Sequence, residues 1–456
     1  MSHNRENSFE PHVESKEEEA SREEEKSLFE TVEVVKIKGE FNSVPDFRVS
    51  GSLDRITLIV NDKDKSYVVD VREEGGNIIQ QRGEEFDGIV SLVASDDGSC
   101  AAYSAIRPSN PERSTYPNEM VLYVNNEKEV VADFYRSIIE NLAVRPDGEE
   151  VAYSQKNSEN LRSTENPVIG GKVINEISEP REIKGIVYSP DLSKAGDWAY
   201  VQKIANNPPE IVTNFDVGIS IEGLSEIYNL TISPDGKSVY FAGKNKPERQ
   251  KVFRNEEELF DAKFDQITKI AISPDGNSWM CVTKNDYSKN ETVAVNGKEV
   301  DKKVRLESDI VFSPQSDIAA YALYREVKNG PYSTITRSMV HQYSFETGEV
   351  TESGHYLRAL NPTYSDDGRR FAFCAIRSEE KEYILVLDGN EYELGFEIDR
   401  FDNGKEENKP LGIRFFKEGD QEFVEVLCLD NKQISKKTMT LSAAQRWQQE
   451  TEEQLF

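Results

Sequence analysis

A four-residue motif, Ser-Pro-Asp-Gly, occupies positions 233–236 and returns at 273–276, forty residues later. Weaker copies of this motif occur at 95–98, 145–148, 189–191, 313–315 and 365–368. A repeat with a period of about 40–50 residues is typical of propellers, solenoids and arrays. The repeat therefore constrains the fold of almost the whole chain.

The motif has the composition of a tight turn between two strands. Proline presets φ for the second position of a type I turn, aspartate is tolerated at the third, and glycine adopts the left-handed position that follows. The serine hydroxyl can bond nearby backbone groups. Apolar residues precede the motif at 230–232 and follow it at 239–242. We therefore interpret each copy as a structural corner and not as a ligand site.

The strand after each corner is a nearly continuous apolar run, as at 318–323 and 371–373. A strand that is apolar on both faces is expected to be covered on both faces, as in sheets stacked face to face around an axis. The second half of several units contains Asn-Gly or a similar turn between two strands, as at 292–300, 121–130 and 384–392. That is a strong hairpin signal, so each unit is predicted to have four antiparallel strands.

Corner-like positions number nine, and those at the two ends are degenerate: they lie near residues 50, 95, 145, 189, 233, 273, 313, 365 and 417. The sequence predicts an all-β fold, a β-propeller with eight or nine four-stranded blades. The last unit lacks an outer strand, and the strand at 31–38 is predicted to fill that gap and close the ring. The predicted organisation is an acidic disordered leader at 1–27, the propeller at 28–441, and a short helix or tail at 442–456.

The chain of 456 residues has a net charge of -29, and most of that excess lies in the repeat region. Such a surface repels nucleic acids and anionic membranes. The four cysteines are widely spaced, which indicates buried thiols in a reducing compartment and no disulfide framework. No apolar segment is long enough for a membrane span or a secretory signal. We expect a cytoplasmic monomer that binds neither nucleic acid nor membrane.

The repeated corners, with tyrosine or phenylalanine in the following strand, resemble the WD-like β-propeller repeat of TolB-type proteins. The same repeat occurs in the propeller domains of prolyl oligopeptidase-type peptidases. The resemblance covers about residues 45–430 and implies the fold alone. TolB-type proteins are exported, whereas no signal segment is visible here, and the Gly-x-Ser-x-Gly nucleophile motif of the peptidases is absent.

Residues that carry chemistry are scarce. His341 and His355 flank a predicted turn at Thr347 and Gly348, so a hairpin would bring them together, with Glu346 or Glu352 as a further metal ligand. Ordinary cross-strand neighbours on an outer hairpin are the favoured interpretation. The sequence predicts no catalytic, cofactor-binding or metal-binding residue, and no cofactor.

The leading functional hypothesis is a non-catalytic scaffold that binds a protein or peptide partner, and the acidic surface favours a basic one. Pro-, Ser-, Asn- and Gly-rich loops at 108–118, 157–166 and 326–332 are the predicted binding segments. The alternative is a hydrolase or lyase in the channel that acts on carbohydrate or peptide with paired carboxylates. Apolar first strands, as at 231–232, 271–272 and 311–312, weigh against that alternative.

Overall fold

The computed structural model describes nineteen segments of the chain. These are residues 30–36, 43–50, 53–74, 77–108, 118–133, 137–157, 164–174, 181–190, 196–204, 207–215, 219, 221–245, 249–262, 266–285, 290–328, 334–377, 382–397, 409–430 and 433–442. Their regular structure is β, apart from two helical residues at 441–442, in antiparallel sheets that are mostly four-stranded. The predicted leader and the helix or tail after Ser442 lie outside the described residues.

A unit is defined here as the strand that precedes a corner together with the strands that follow it, up to the strand before the next corner. The first unit contains β2 (Ser43–Val49), β3 (Arg55–Asp62), β4 (Lys65–Glu74) and β5 (Asn77–Arg82), and the second contains β6 (Gly88–Ala94), β7 (Ala101–Pro108), β8 (Asn118–Val124) and β9 (Glu127–Asp133). The third contains β10 (Ser137–Val144), β11 (Val151–Asn157), β12 (Thr164–Ile169) and β13 (Lys172–Val173), and the fourth contains β14 (Arg181–Tyr188), β15 (Trp198–Ile204) and β16 (Glu210–Thr213). One parallel contact between Thr164 and Arg181 joins these two units into a single sheet.

The later units repeat this order. The fifth contains β17 (Leu224–Ile232), β18 (Val239–Asn245), β19 (Arg249–Arg254) and β20 (Glu257–Asp261), and the sixth contains β21 (Gln266–Ile272), β22 (Trp279–Lys284), β23 (Glu291–Val295) and β24 (Lys298–Leu306). The seventh contains β25 (Val311–Phe312), β26 (Ile318–Lys328), β27 (Thr334–Ser344) and β28 (Val350–Glu352), and the eighth contains β29 (Arg358–Tyr364), β30 (Phe371–Ile376), β31 (Glu382–Leu387) and β32 (Asn390–Glu397). The end of β24 also pairs with β26, which joins the sixth and seventh units.

The last sheet combines the two ends of the described chain. It contains β33 (Lys409–Glu418), β34 (Gln421–Asp430), β35 (Gln433–Thr440) and, as its fourth strand, β1 (Glu30–Lys36). β1 runs antiparallel to β35, with Glu30 opposite Thr438 and Lys36 opposite Gln433. The N-terminal strand thus covers an edge of β35 that would otherwise be unpaired.

The corners have the turn geometry that their sequence predicts. Ser233 Oγ donates to Asp235 Oδ1 at 2.7 Å and accepts from the N–H of Ser238 at 2.9 Å. The N–H of Gly236 donates to the carbonyl of Ser233, with Gly236 at a φ of 69°. The serine–aspartate hydrogen bond recurs at Ser95–Asp97, Ser273–Asp275 and Ser365–Asp367. The serine hydroxyl thus joins the aspartate to the start of the next strand.

Two of the weaker copies of the motif keep an acidic acceptor by other means. Arg145 stands where the serine would be, and its guanidinium binds both carboxylate oxygens of Asp147, at 2.5 and 2.7 Å. At the seventh corner Gln315 replaces the aspartate, and Ser313 instead donates to Asp317 at 2.5 Å. At both of these corners a carboxylate therefore still lies close to the turn.

The predicted hairpins in the second half of the units are present. Asn296 and Gly297 form the turn between β23 and β24, both with positive φ, as a type I′ turn requires. The side-chain oxygen of Asn296 also accepts from the N–H of Trp279, at 2.9 Å. Equivalent bonds run from Val239 to Asn255 and from Phe371 to Asp388. One turn residue therefore supports two neighbouring hairpins.

The hydrophobic cores lie between successive units. In β26, Ala319, Tyr321 and Leu323 pack into the core shared with the sixth unit, whereas Ala320 and Ala322 pack into the core shared with the eighth. This confirms that the apolar strand is covered on both faces. Leu411, Leu427, Leu429 and Ile434 of the last sheet pack against the first unit in a further core, which contains Leu53, Ile56, Leu58 and Val60.

Asparagines in bulges of the first strands link neighbouring units. Three of them have a φ of 52° or 53°, in the left-handed region that asparagine tolerates better than most residues. Their side-chain amides donate to carbonyls in the next unit: Asn141 to Ile183, Asn229 to Ile267 and Asn361 to Pro410. Each bond fixes the first strand of one unit against that of the next.

The four cysteines are buried and none of them is in a disulfide bond, as the sequence predicts. Burial raises the pKa of the Cys100 thiol to about 11 and that of Cys281 to about 12. These thiols are therefore protonated at neutral pH and pack as small apolar groups. In the part of the chain that the structure describes, no helix is long and apolar enough to cross a membrane.

The corner hydrogen bonds can be tested at Ser273, which is fully buried. Ser273→Ala removes the hydroxyl that serves both Asp275 and the N–H of Ser278. We expect it to lower the free energy of unfolding by about 1–2 kcal/mol, measured by urea denaturation. Ser278→Ala in the same turn is the control, because that hydroxyl makes no hydrogen bond to a described residue. Equal losses in the two variants would contradict the role of the Ser273 hydroxyl.

Corner aspartates also predict a loss of stability in acid. Burial pushes the pKa of Asp235 and Asp275 up, but hydrogen bonds from the serine hydroxyl and backbone N–H groups outweigh it and lower both pKa values. The stability that results is present above the unfolded pKa of about 3.9 and is lost as the pH falls through the folded pKa.

The variant Asp235→Asn/Asp275→Asn should therefore lose less stability than the wild type between about pH 5 and pH 2, measured by urea midpoints across that interval. Asp64→Asn/Asp420→Asn is the control pair, since both side chains are exposed in turns. A wild-type pH dependence that persists unchanged in the corner variant would disprove this account.

Candidate functional site

A cavity of about 1020 Å³ opens between the sixth, seventh and eighth units. We call it the cationic cavity. It is lined by Asn290, Lys302, Lys303, Val304, Arg305, Leu306, Glu307, Tyr324, Arg325, Glu326, Thr336 and Arg358. Five of these side chains are cationic and two are acidic, although the chain as a whole has a net charge of -29. The cavity therefore differs in sign from the protein around it.

The cationic cavity lies at the end of the sheets opposite the corners. In the β26–β27 ladder, Ile318 pairs with Ser344 beside the seventh corner, whereas Arg325 pairs with Arg337 towards the far end. The predicted binding loops connect strands at that same far end. Most of their residues lie outside the described part of the chain, but Glu326, the first residue of the third loop, lines the cavity.

A β-bulge in β24 exposes two cations to this cavity. Thr292 pairs with Lys302 and Glu291 with Val304, so Lys303 is the extra residue, and its φ is 57°. Val304 is buried, whereas Lys303 and Arg305 on either side of it are exposed. Neither of these two cations forms an ion pair with a described residue. A lysine in the left-handed region is uncommon, and such outliers occur often at functional positions.

Glu307 forms the floor of the cationic cavity. Its carboxylate accepts from the Tyr324 hydroxyl at 2.5 Å, from Arg358 Nε at 2.7 Å and from the Ser338 hydroxyl at 2.6 Å. The Glu307 side chain is only 5% exposed. Because three strands supply these donors, the carboxylate holds β26, β27 and β29 in a fixed arrangement below the cations.

Arg325 connects the cavity to a buried cluster. Its guanidinium donates to Asp301 Oδ1 at 2.5 Å. The other oxygen of Asp301 accepts from the Tyr321 hydroxyl at 2.5 Å and lies 2.8 Å from His341 Nδ1. Because an ionised carboxylate can only accept, the imidazole donates at Nδ1. Its Nε2 lies 3.3 Å from Glu352 Oε2 but makes no hydrogen bond among the described atoms.

The predicted proximity of the two histidines is present, with Glu352 between them. His341 pairs with Glu352 across the β27–β28 hairpin, and His355 Nε2 lies 2.8 Å from Glu352 Oε1. Glu346, the other predicted carboxylate, is exposed in the turn and takes no part. Among the described residues, no group of three or more His, Cys, Asp or Glu side chains is arranged to hold a metal ion.

The electrostatics of the cluster favour an ionised Asp301. Burial alone would raise its pKa, but hydrogen bonds from His341 and Tyr321 and the charge of Arg325 lower it. Burial and the Asp301 carboxylate raise the pKa of Tyr321 far above its usual value. Burial likewise opposes ionisation of Glu352, yet His355, His341 and Arg325 lower its pKa. The cluster is thus a stable ionic network that orients Arg325.

A second cavity, of about 700 Å³, lies among the first strands and is called the first-strand cavity. Residues of β2, β21, β25, β29 and β33 line it, together with Glu291, Glu307 and Asp309. Glu291 accepts from the N–H of Leu306 at 2.6 Å, and Asp309 pairs with Lys269. Glu291 and the buried Glu307 are therefore already committed to structural contacts, whereas Asp309 is exposed and forms a surface ion pair.

Sequence reasoning did not find Asp301, Glu307 or the cations Lys303 and Arg305. Asp301 and Glu307 are two of 84 acidic residues, and no motif surrounds them. The one local signal for the cations was Lys302-Lys303 beside Arg305 in an acidic chain. These cations line a cavity only because β24 pairs with β26, which places the next unit beside them.

No protein-family model and no curated protein matches this chain. Among solved structures, it is similar to the β-propeller domain of the trilobed protease from Pyrococcus furiosus, with 13% identity, a TM-score of 0.37, and coverage of 69% of this chain and 98% of that one. TolB from Acinetobacter baumannii has 13% identity and a TM-score of 0.26, with coverage of 66% and 78%.

A further similar structure is oligogalacturonate lyase from Vibrio parahaemolyticus, with 8% identity, a TM-score of 0.39, and coverage of 76% of this chain and 93% of that one. These neighbours are β-propeller proteins. They differ in function from one another, and similarity at such low identity transfers no activity to this chain.

The role of Glu307 can be tested by truncation. Glu307→Ala leaves the buried Ser338 hydroxyl and the Arg358 guanidinium without their acceptor, so the free energy of unfolding should fall by about 2–4 kcal/mol. Chemical denaturation measures this loss. Glu326→Ala, an exposed carboxylate on the same cavity, is the control and should change stability by less than about 0.5 kcal/mol. Similar losses in both would contradict the structural role of Glu307.

Proposed function

We propose that the chain is a ring of nine blades that serves as a non-catalytic binding protein for a protein or peptide partner. The partner site is the cationic cavity and the loops beside it. The observation that carries this proposal is a roomy cavity on a rigid platform, walled by strands of three successive units and bordered by a predicted binding loop. Binding residues often lie on loops that a rigid scaffold positions.

Support for nine blades comes from the packing of the units. Eight cores join successive units, and a ninth joins the last sheet to the first unit. β1 completes the last sheet, and first strands of the first, sixth, seventh, eighth and ninth units face one cavity. A closed ring accounts for all three observations, although nine blades exceed the usual range of about four to eight.

The state of the carboxylates supports binding over catalysis. An acid–base pair needs one carboxyl group that can exchange a proton with substrate. Glu291 and Glu307 instead accept from backbone, hydroxyl or cationic groups of the protein itself. The alternative prediction, a hydrolase or lyase in the channel, gains no support from these two carboxylates.

The proposal is tested by filling the cavity. Thr336 lies exposed on β27 and lines the cavity, so Thr336→Trp should obstruct it without removing a buried contact. We expect at least about tenfold less partner to co-purify with tagged Thr336→Trp than with the wild type, quantified by mass spectrometry.

Thr351→Trp, an equally exposed position on β28 outside the cavity, should retain the partner. Cross-links from the wild-type protein should map to the eighth unit and to β24 and β26. Equal recovery of the same partner with both tryptophan variants would overturn the proposed site. Turnover of a carbohydrate or peptide library by the purified protein would overturn the non-catalytic assignment.

A further inference from the structure

The charge of the cationic cavity indicates which kind of segment it takes. We propose that it binds an anionic peptide segment, whose negative groups are carboxylates or phosphates. The inference rests on the proposed function, since it names the chemistry of the ligand at that same site. It also differs from the basic partner that the overall charge of the chain favours.

The uncommitted cations carry the argument. Arg325 and Arg358 already pair with Asp301 and Glu307, so they shape the cavity and add positive potential to it. Lys303 and Arg305 are exposed on β24, and neither has an acidic partner among the described residues. The chain has 84 acidic and 55 basic residues, yet these two neighbouring cations face the cavity without an ion-pair partner among the described residues. An anionic ligand would supply the missing partners.

The backbone at Lys303 is a second, independent observation. Bulges in the first strands of three other units place asparagine in the left-handed region, where its side chain bonds the next unit. The bulge of β24, the fourth strand of its unit, holds a lysine in the same region, which costs about 1 kcal/mol or more of conformational energy. No hydrogen bond or ion pair of the Lys303 side chain within the described chain offsets that cost. Presentation of the ammonium group to a ligand accounts for it.

The acidic leader of this chain is the obvious competitor for the cavity, but the strand directions disfavour it. Glu30 pairs with Thr438, close to the corner between β33 and β34. The chain therefore enters β1 at the corner end of the last sheet, whereas the cavity opens at the opposite end of other units. Glu23–Glu25 lie within seven residues of Glu30, a span of at most about 25 Å. A segment from another molecule meets no such constraint.

The test measures binding of fluorescein-labelled peptides by anisotropy. Hexaglutamate and a phosphoserine-containing peptide of matched length are the anionic probes, and hexaglutamine and hexalysine are the controls. We expect the full-length protein to bind at least one anionic probe on the order of tenfold more tightly than hexaglutamine, and the affinity to fall with added salt. The relative affinities of the two anionic probes distinguish carboxylate from phosphate recognition.

A charge-reversal pair assigns the site. Lys303→Glu/Arg305→Glu should weaken binding of the anionic probe by about tenfold or more. Lys63→Glu/Lys172→Glu makes the same change in net charge at exposed positions in other units, and Lys63 also has a positive φ, so this control should bind like the wild type. If both double variants bind the anionic probe equally weakly, the loss of affinity reflects net charge alone and the proposal is overturned.

Two further outcomes separate this inference from the proposed function. If no anionic probe binds but Thr336→Trp still loses the cellular partner, the cavity is a binding site for a different chemistry and the inference fails alone. Deletion of residues 2–27 tests whether the leader occupies the cavity. If the deletion raises the affinity for hexaglutamate more than about tenfold, the leader is the primary occupant, and the proposal of a segment from another molecule is overturned. An unchanged affinity after the deletion supports the external segment.

Discussion

The serine hydroxyl of the corners at Ser95, Ser233, Ser273 and Ser365 is the interaction on which the arrangement of the units depends. It donates to an aspartate and accepts from the backbone five residues later, so it fixes where the next strand begins. Strand register decides which side chains face which neighbour, because successive residues point to opposite faces. Neighbouring units also contact each other at their corners. The Ser99 hydroxyl donates a hydrogen bond to the carbonyl of Asp147, and the hydroxyl of Tyr240, in the strand after the fifth corner, donates to the carbonyl of Gly276. Errors at one corner would therefore displace two cores.

The chain is strongly acidic, and several of its carboxylates are stabilised by donors that lie next to them. Corner aspartates are held ionised by hydroxyl and backbone donors, and Asp301 by an imidazole, a phenol and a guanidinium. These carboxylates act as structural acceptors. The positive side chains of Lys303 and Arg305 on β24 have no such acceptor among the described residues. Their position at the junction of the sixth and seventh units, above the Glu307 carboxylate, keeps them on a rigid support.

Much of the fold could be predicted because its signals are local. The corner, the Asn-Gly hairpins and the doubly apolar strands each express a preference of a few adjacent residues. The approach of His341 and His355 to Glu352 was also predictable, since one hairpin brings them together. Asp301 and Tyr321 join that group from 40 and 20 residues away. Their positions depend on the pairing of β24 with β26 across two units, which no local pattern reports.

The pairing of β1 with β35 has a consequence for biosynthesis. Glu30 and Thr438 are opposite each other, so the first strand leaves the ribosome roughly 400 residues before its partner. At about 5–20 residues per second, β1 waits on the order of 20–80 s without the strand that covers it. During that interval its backbone donors and acceptors are open to any other strand, including β1 of a second nascent chain on the same message. Any pairing made in that interval competes with completion of the last sheet.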